Sequence, residues 1–311
     1  MVRMRFVVPA AVVAVGATVA TAGILRADAA SRVTVPVPVV TVAAPLPSAT
    51  TPQPAPAAAL ATGTPRPSAS TARPAPAVTG AKGTENCAAG GAIAEGEYWL
   101  NNNQWGKDAG KGSQCVWETG RSGDTFGWGT SWKWTGEQNS VKSYVSAVLG
   151  WHWGFKAQGT GLPIRLSAGR SVRSSWDFKV TKRTANTMNV AYDLWLHDIA
   201  APDWQNQPTD EVMVWLYRSG GAGPVGTKQA TVTIGGTKWD LYRGEIGWNV
   251  FSFVRASNTS TADLNLTDFT DDLAGRGWLQ RTKYLSSVQA GPEIFTGAGT
   301  LDTSAYSVTI D

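Results

Sequence analysis

Residues 210–216 read Asp-Glu-Val-Met-Val-Trp-Leu, and residues 192–196 read Tyr-Asp-Leu-Trp-Leu. In the first stretch Val212, Val214 and Leu216 alternate with Glu211, Met213 and Trp215. In the second, Tyr192, Leu194 and Leu196 alternate with Asp193, Trp195 and His197. A period of two is the signature of a β-strand, whose successive side chains leave opposite faces. The Val-Val-Leu set belongs in a core between sheets. The Glu-Met-Trp set suits neither a core nor an open solvent face, which would show Thr, Lys and Ser instead. It suits a concave cleft lined by aromatic rings. Gln289, Gly291, Glu293 and Phe295 repeat the scheme on a third strand.

Similar short runs follow along the chain, at Thr231–Ile234, Lys238–Tyr242, Asn249–Val254 and Tyr306–Ile310, broken by Gly, Asn, Asp, Ser and Pro. The best helix candidate spans about Asn265 to Arg276. Acidic residues come early in it, Leu266, Phe269 and Leu273 form an apolar stripe, and Gly275 and Gly277 end it. Many strands and one short helix predict an all-β fold, an antiparallel sandwich or jelly roll.

The flanking sequence differs. All fifteen tryptophans lie between Trp99 and Trp278. The chain starts Met-Val-Arg-Met-Arg, continues in an apolar run from Phe6 to Leu25, and then reads Ala27-Asp28-Ala29. This pattern predicts a signal peptide over 1–29; the alternative is an uncleaved anchor. Residues 30–82, rich in Pro, Ala and Thr, are expected to be a disordered spacer. Residues 83–311 are then the folded, secreted, extracellular domain, without stable membrane association once the signal is cleaved, and expected to be monomeric. The two cysteines, Cys87 and Cys115, are expected to pair in that oxidising compartment. The two histidines, His152 and His197, have no CxxC or HxxxH context, so no metal is expected. Net charge is +4, and Arg3, Arg5, Arg26, Arg32, Arg66 and Arg73 all precede the domain, which has no basic run of the kind a nucleic-acid reader needs. An exported domain rich in Trp and poor in charge points to carbohydrate, since indole faces stack on sugar rings while the N–H still donates.

Of eight glutamates, only Glu211 and Glu293 sit inside alternating apolar strands. Hydrolysis of a glycosidic bond requires two carboxyls in different protonation states. The plainer reading is that these glutamates form structural ion pairs with Arg or Lys.

Tyr192–Leu196, Asp210–Leu216, Gly291–Gly297 (Gly-Pro-Glu-Ile-Phe-Thr-Gly) and Asn101–Gly106 (Asn-Asn-Asn-Gln-Trp-Gly) followed by Cys115 resemble glycoside hydrolase family 12, in the family's order and over the whole domain. The resemblance implies a β-jelly-roll of two stacked sheets with a long open cleft, and retaining endo-hydrolysis of β-1,4-glucan without metal or organic cofactor. It implies Glu211 as nucleophile, Glu293 as general acid/base, and Asp193 as the carboxylate supporting the nucleophile. It places Met213 beneath the catalytic sugar with Trp215 following, Asn103 and Trp105 in a sugar-binding pair, and Pro224-Val225-Gly226 in a loop crossing the cleft. Phe295 shares the face of Glu293. Gly150–Trp153, Trp195–Asp198 and Gly247–Phe251 look more like bacterial xyloglucan-cleaving members, with Trp151 and Trp153 as candidate substrate contacts. One departure is Pro292, directly before Glu293, which removes a ladder donor. Xyloglucan is the expected substrate, with unbranched cellulose or mixed-linkage β-glucan as the alternative. A non-catalytic carbohydrate-binding jelly roll is the rival from another class.

Overall fold

The computed structural model describes residues 77, 78 and 80–311. The expected signal peptide and all of the expected spacer up to residue 76 lie outside the described residues. Contact with the sheets begins at Val78, whose N–H donates to Ser304 O at 2.7 Å. Among the described residues no helix is long and apolar enough to cross a membrane.

The strands, in chain order, are β1 (Glu85–Asn86), β2 (Ala92–Glu95), β3 (Tyr98–Asn103), β4 (Gly110–Ser122), β5 (Thr125–Gly136), β6 (Ser143–His152), β7 (Phe155–Lys156) and β8 (Ile164–Arg165). They continue with β9 (Val172–Lys182), β10 (Thr187–His197), β11 (Asp210–Ser219), β12 (Thr227–Ile234), β13 (Thr237–Glu245), β14 (Asn249–Arg255) and β15 (Thr261–Asn265). The helix α1 (Thr267–Gly275) and the long strand β16 (Tyr284–Ile310) complete the order. The expected helix is thus present, shorter by a residue or two at each end.

Two sheets result. One runs β2-β3-β6-β16-β10-β11-β14-β13-β12, and the other runs β1-β4-β5-β16-β9-β15. Strand β16 belongs to both. Its first half pairs with β6 and β10, and its second half with β5 and β9. The crossing point is Gly297, at φ +114°, where a Cβ would lie 2.4 Å from Asn186 Oδ1. Pairing is antiparallel except between β11 and β14, which are parallel. Strand β14 inserts between β11 and β13, an arrangement that the expectation of antiparallel sheets missed.

The alternation read from the sequence sorts as expected. Val212, Val214 and Leu216 join Val190, Tyr192, Leu194, Phe251 and Phe253 in the core between the sheets. Helix α1 seals one side of that core, with Phe269 edge-on to Trp239 and Phe253. Met213, Trp215 and Phe295 form a separate apolar cluster with Ala191, Val250 and Val254 on the other face of the first sheet. Cys87 and Cys115 are joined in a disulfide.

Candidate active site

The site lies on the face carrying that second cluster. Strand β10 is central there, flanked by β11 and β16. Its register sets Asp193 opposite Met213 on one side and Gln289 on the other. Glu211 stands opposite Trp195, toward one end of β10, and Glu293 opposite Asn189, toward the other. Asp193 lies between them.

Read on a flat sheet, this register would hold the two glutamates well apart. The sheet is far from flat. Asn103 pairs with Tyr144, at the opposite end of β6 from His152, with about 26 Å of strand between the two. Even so, Asn103 Nδ2 lies 3.5 Å from His152 Nε2. The strands therefore curl so far that side chains pointing into the concavity from opposite ends meet. Glu211 and Glu293 stand on this curled face, near enough to feel each other's charge. The charge on Glu293 raises the pKa of Glu211, and both charges raise that of Asp193.

Each glutamate has its own donor. Trp248 Nε1 donates to Glu211 Oε2 at 2.8 Å. Asn189 Nδ2 donates to Glu293 Oε2 at 2.5 Å, and the Asn189 Oδ1 accepts from the backbone N–H of Glu293 at 3.4 Å. Neither glutamate is among the described ion pairs, which answers the plainer reading of the sequence. Its neighbour Asp210 does form one, with Lys283, and also accepts from Asn249 Nδ2 at 3.0 Å. That network fixes the start of β11, where Glu211 sits.

Burial is the largest influence on all three acids. It raises Glu211, Glu293 and, well above the ordinary range, Asp193. The Trp248 and Asn189 hydrogen bonds oppose it at the two glutamates. Tyr144, whose hydroxyl donates to Ala191 O at 3.3 Å, acts the same way beside Asp193. Repulsion among buried Asp193, buried Glu211 and half-buried Glu293 opposes their ionising together, so they release protons stepwise.

The other sequence candidates divide. Met213 and Trp215 are buried side by side, the Trp215 Nε1 pointing at Met213 Sδ (3.4 Å), and Phe295 packs with them. Trp105 is 65 % exposed, with its backbone N–H bound to Asn103 Oδ1. Trp153 is 37 % exposed, its ring 4.9 Å from Trp195 and 5.5 Å from Trp248. Trp151, expected to face substrate, is instead wholly buried; its indole donates to Asp203 O and its ring backs Trp153 at 4.8 Å. It supports a platform and is not one. Pro224 and Gly226 lie in the β11–β12 connection, where a Cβ on Gly226 would strike Arg243 O at 1.9 Å. Pro292 sits where β6–β16 pairing is interrupted between Ala290 and Glu293, so its missing N–H costs no bond there. Gly291 beside it is forced by close approach, since a Cβ would lie 1.9 Å from Val145 O. The one grouping of possible metal ligands among the described residues, Glu85 with Cys87 and Cys115, has both sulfurs in the disulfide.

Sequence reasoning singled out neither Asn189 nor Tyr144, put Gln289 on the cleft face without a partner, and met Trp248 only inside the Gly247–Phe251 motif. Asn189 was accessible from the period of two, which puts 189, 191, 193 and 195 on one face. The donor role of Trp248 was not, because it depends on the parallel β11–β14 pair, with Glu211 opposite Val250.

Comparison with known proteins agrees with this geometry. The profile of glycosyl hydrolase family 12 matches residues 96–311. Endoglucanase S of Pectobacterium parmentieri is 41% identical over 224 residues, 69% of this chain and 82% of that protein. A xyloglucan-specific endo-beta-1,4-glucanase A of Emericella nidulans is 38% identical over 230 residues, 72% of this chain and 90% of its own length. Among solved structures, a native family 12 xyloglucanase from Bacillus licheniformis superposes with a TM-score of 0.67 at 36% identity, covering 73% of this chain and 100% of that one.

Proposed function

This chain belongs to glycosyl hydrolase family 12 and is an endo-β-1,4-glucanase, and from that premise we propose that it cuts the branched backbone of xyloglucan with Glu211 as nucleophile and Glu293 as general acid/base. The observation that supports the assignment is the placement of buried Glu211 and half-buried Glu293 on one face of the sheet, each with its own hydrogen-bond donor and with Asp193 between them. In this reading Glu293 protonates the departing sugar oxygen while Glu211 attacks the anomeric carbon. Glu293, now a base, then activates the water that releases the glycosyl-enzyme, so configuration is retained. One negative charge among the three acids is what the first step needs. The Trp248 N–H supports the anion at Glu211, and Asp193, whose pKa burial and the neighbouring glutamates raise, stands between the two as a neutral acid. Burial raises Glu211 no less than Glu293, so the division of labour rests on the matched motifs. A non-catalytic carbohydrate-binding jelly roll would have no use for such an acid pair.

Xyloglucan is favoured over unbranched glucan by the xyloglucan-specific relatives and by the open, Trp-rich wall beside Glu211. Export of the chain by a signal peptide over residues 1–29, a disordered spacer over residues 30–82 and a monomeric domain over 83–311 complete the proposal. The disulfide suits that compartment. The test is hydrolysis of xyloglucan, carboxymethyl cellulose and mixed-linkage glucan by the purified protein, with the product anomer followed by NMR. Faster release of reducing ends from xyloglucan, as the β-anomer first, is expected. Release of the α-anomer first would overturn the mechanism, and a preference for an unbranched chain would overturn the substrate.

A further inference from the structure

Six large apolar side chains are exposed among the described residues, and four of them, Trp153, Ile199, Trp204 and Ile246, come from three loops at one lip of the cleft. The loops hold each other. Trp151, beside Trp153, donates its indole N–H to Asp203 O at 2.7 Å. Lys156 Nζ donates to Pro202 O at 2.9 Å, and Gln207 Nε2 to Gly247 O at 3.1 Å. Trp153 in turn touches Trp248, the donor to Glu211. This lip is therefore continuous with the catalytic face on the Glu211 side.

The loop after β10, which carries Trp204, is pinned by its own polar groups. Its carbonyls at 202, 203 and 206 point inward, to Lys156, Trp151 and His197. Asp203 Oδ1 accepts from the N–H of Trp204 itself at 2.6 Å, and Asn206 Oδ1 from the N–H of Asp203 at 2.7 Å. With the loop tied at these points, Trp204 is 40 % exposed, and Ile246, on the loop that Gln207 bonds, is 51 % exposed. Exposed apolar side chains on loops bonded to one another beside a cleft suit a contact for ligand.

We propose that this lip, with Trp204 at its centre, is a binding site for the sugar branches of a substituted β-glucan, separate from the floor that holds the backbone. The proposal rests on the xyloglucan reading above. Branches leave a glucan ribbon through the C6 carbons, sideways from the backbone and so toward the cleft lips. Separate aromatic and aliphatic platforms, with the neighbouring backbone polar groups already engaged, suit the C–H faces of single pyranose rings. The lip thus reads substitution where the cleft floor reads the β-1,4 chain.

The test compares kcat/KM on xyloglucan with kcat/KM on carboxymethyl cellulose, for the wild-type protein, Trp204→Ala and Trp204→Phe, with thermal melting to show that each is folded. Loss of one stacking platform lowers the branched-to-unbranched ratio by about five- to tenfold in Trp204→Ala, through KM on xyloglucan. Trp204→Phe recovers most of it. An unchanged ratio in Trp204→Ala, whether both activities fall together or neither falls, overturns the branch site while leaving the substrate assignment standing. A wild-type protein that does not prefer xyloglucan overturns both.

Discussion

The two faces of the sheet carrying β10 and β11 are made by alternate residues of the same strands, yet they are opposite in character. One face sends Leu194, Leu196, Val212 and Val214 into the core and asks nothing of polar chemistry. The other buries Asp193, Glu211 and Gln289 beside Met213 and Trp215, and leaves Asp193 Oδ1, Gln289 Oε1, Trp195 Nε1, Trp99 Nε1 and Asn101 Oδ1 without a protein hydrogen-bond partner. Unpaired buried polar groups cost stability; Trp128 Nε1 and Tyr306 Oη in the core and Asn102 Oδ1 are also unpaired, but the cleft face carries more of them, and it is there that a polar ligand would satisfy them. Stability and chemistry therefore stand back to back, one residue apart.

That contrast can be broken from either side. The largest expected effect is on the cleft face. Glu211→Gln should lower turnover by on the order of 10⁴-fold or more, and Glu293→Gln by about 10²–10⁴-fold on substrates with poor leaving groups, with circular dichroism and melting showing both folded. Unfolding of these variants would mean that the two faces are not separable. On the core face, Leu194→Ala should reverse the pattern: about 2–5 kcal/mol of stability lost in denaturant titration, with the turnover of the remaining folded protein intact. Replacing Cys87 and Cys115 by Ser should cost about 2–4 kcal/mol, again without touching turnover. Trp248→Phe sharpens the comparison within the cleft. Losing a hydrogen bond to a charged partner should lower kcat about tenfold while KM on unbranched glucan stays near that of the wild type.

The smallest effect is one of slope. Glu211 and Glu293 hold their protons more strongly folded than unfolded, so between their ordinary pKa and the raised one the native state binds more protons. Their contribution to stability therefore falls as pH rises from about 4.5 toward 8. His152 works in the other direction. Burial pushes its pKa down to about 4, so its contribution falls as pH drops below about 6.5. Melting temperature should decline as pH rises from about 6.5 toward 8, and decline less steeply in Glu211→Gln; an equal slope in both proteins would place the pH dependence elsewhere.

Much of this was legible from the alternation alone. Two residue types on two faces assign Val212 to the core and Glu211 to a cleft without any knowledge of the fold, because a strand has no third direction in which to point. What the sequence does not encode locally is where distant strands meet. Nothing near Trp248 says that its strand runs parallel beside β11, and nothing near Asn103 says that a curled sheet brings it to His152. Trp151 failed for a related reason. Trp151 and Trp153 are both tryptophans, two apart, and only the loop that donates Asp203 O decides which of them is covered.

Strand β16 gives half of its length to each layer. Neither layer can come apart without stripping hydrogen bonds from a segment the other is still holding, much as a zip shared by two garments opens both. The domain should accordingly absorb heat in a single calorimetric peak, with no plateau at which the catalytic sheet survives its partner.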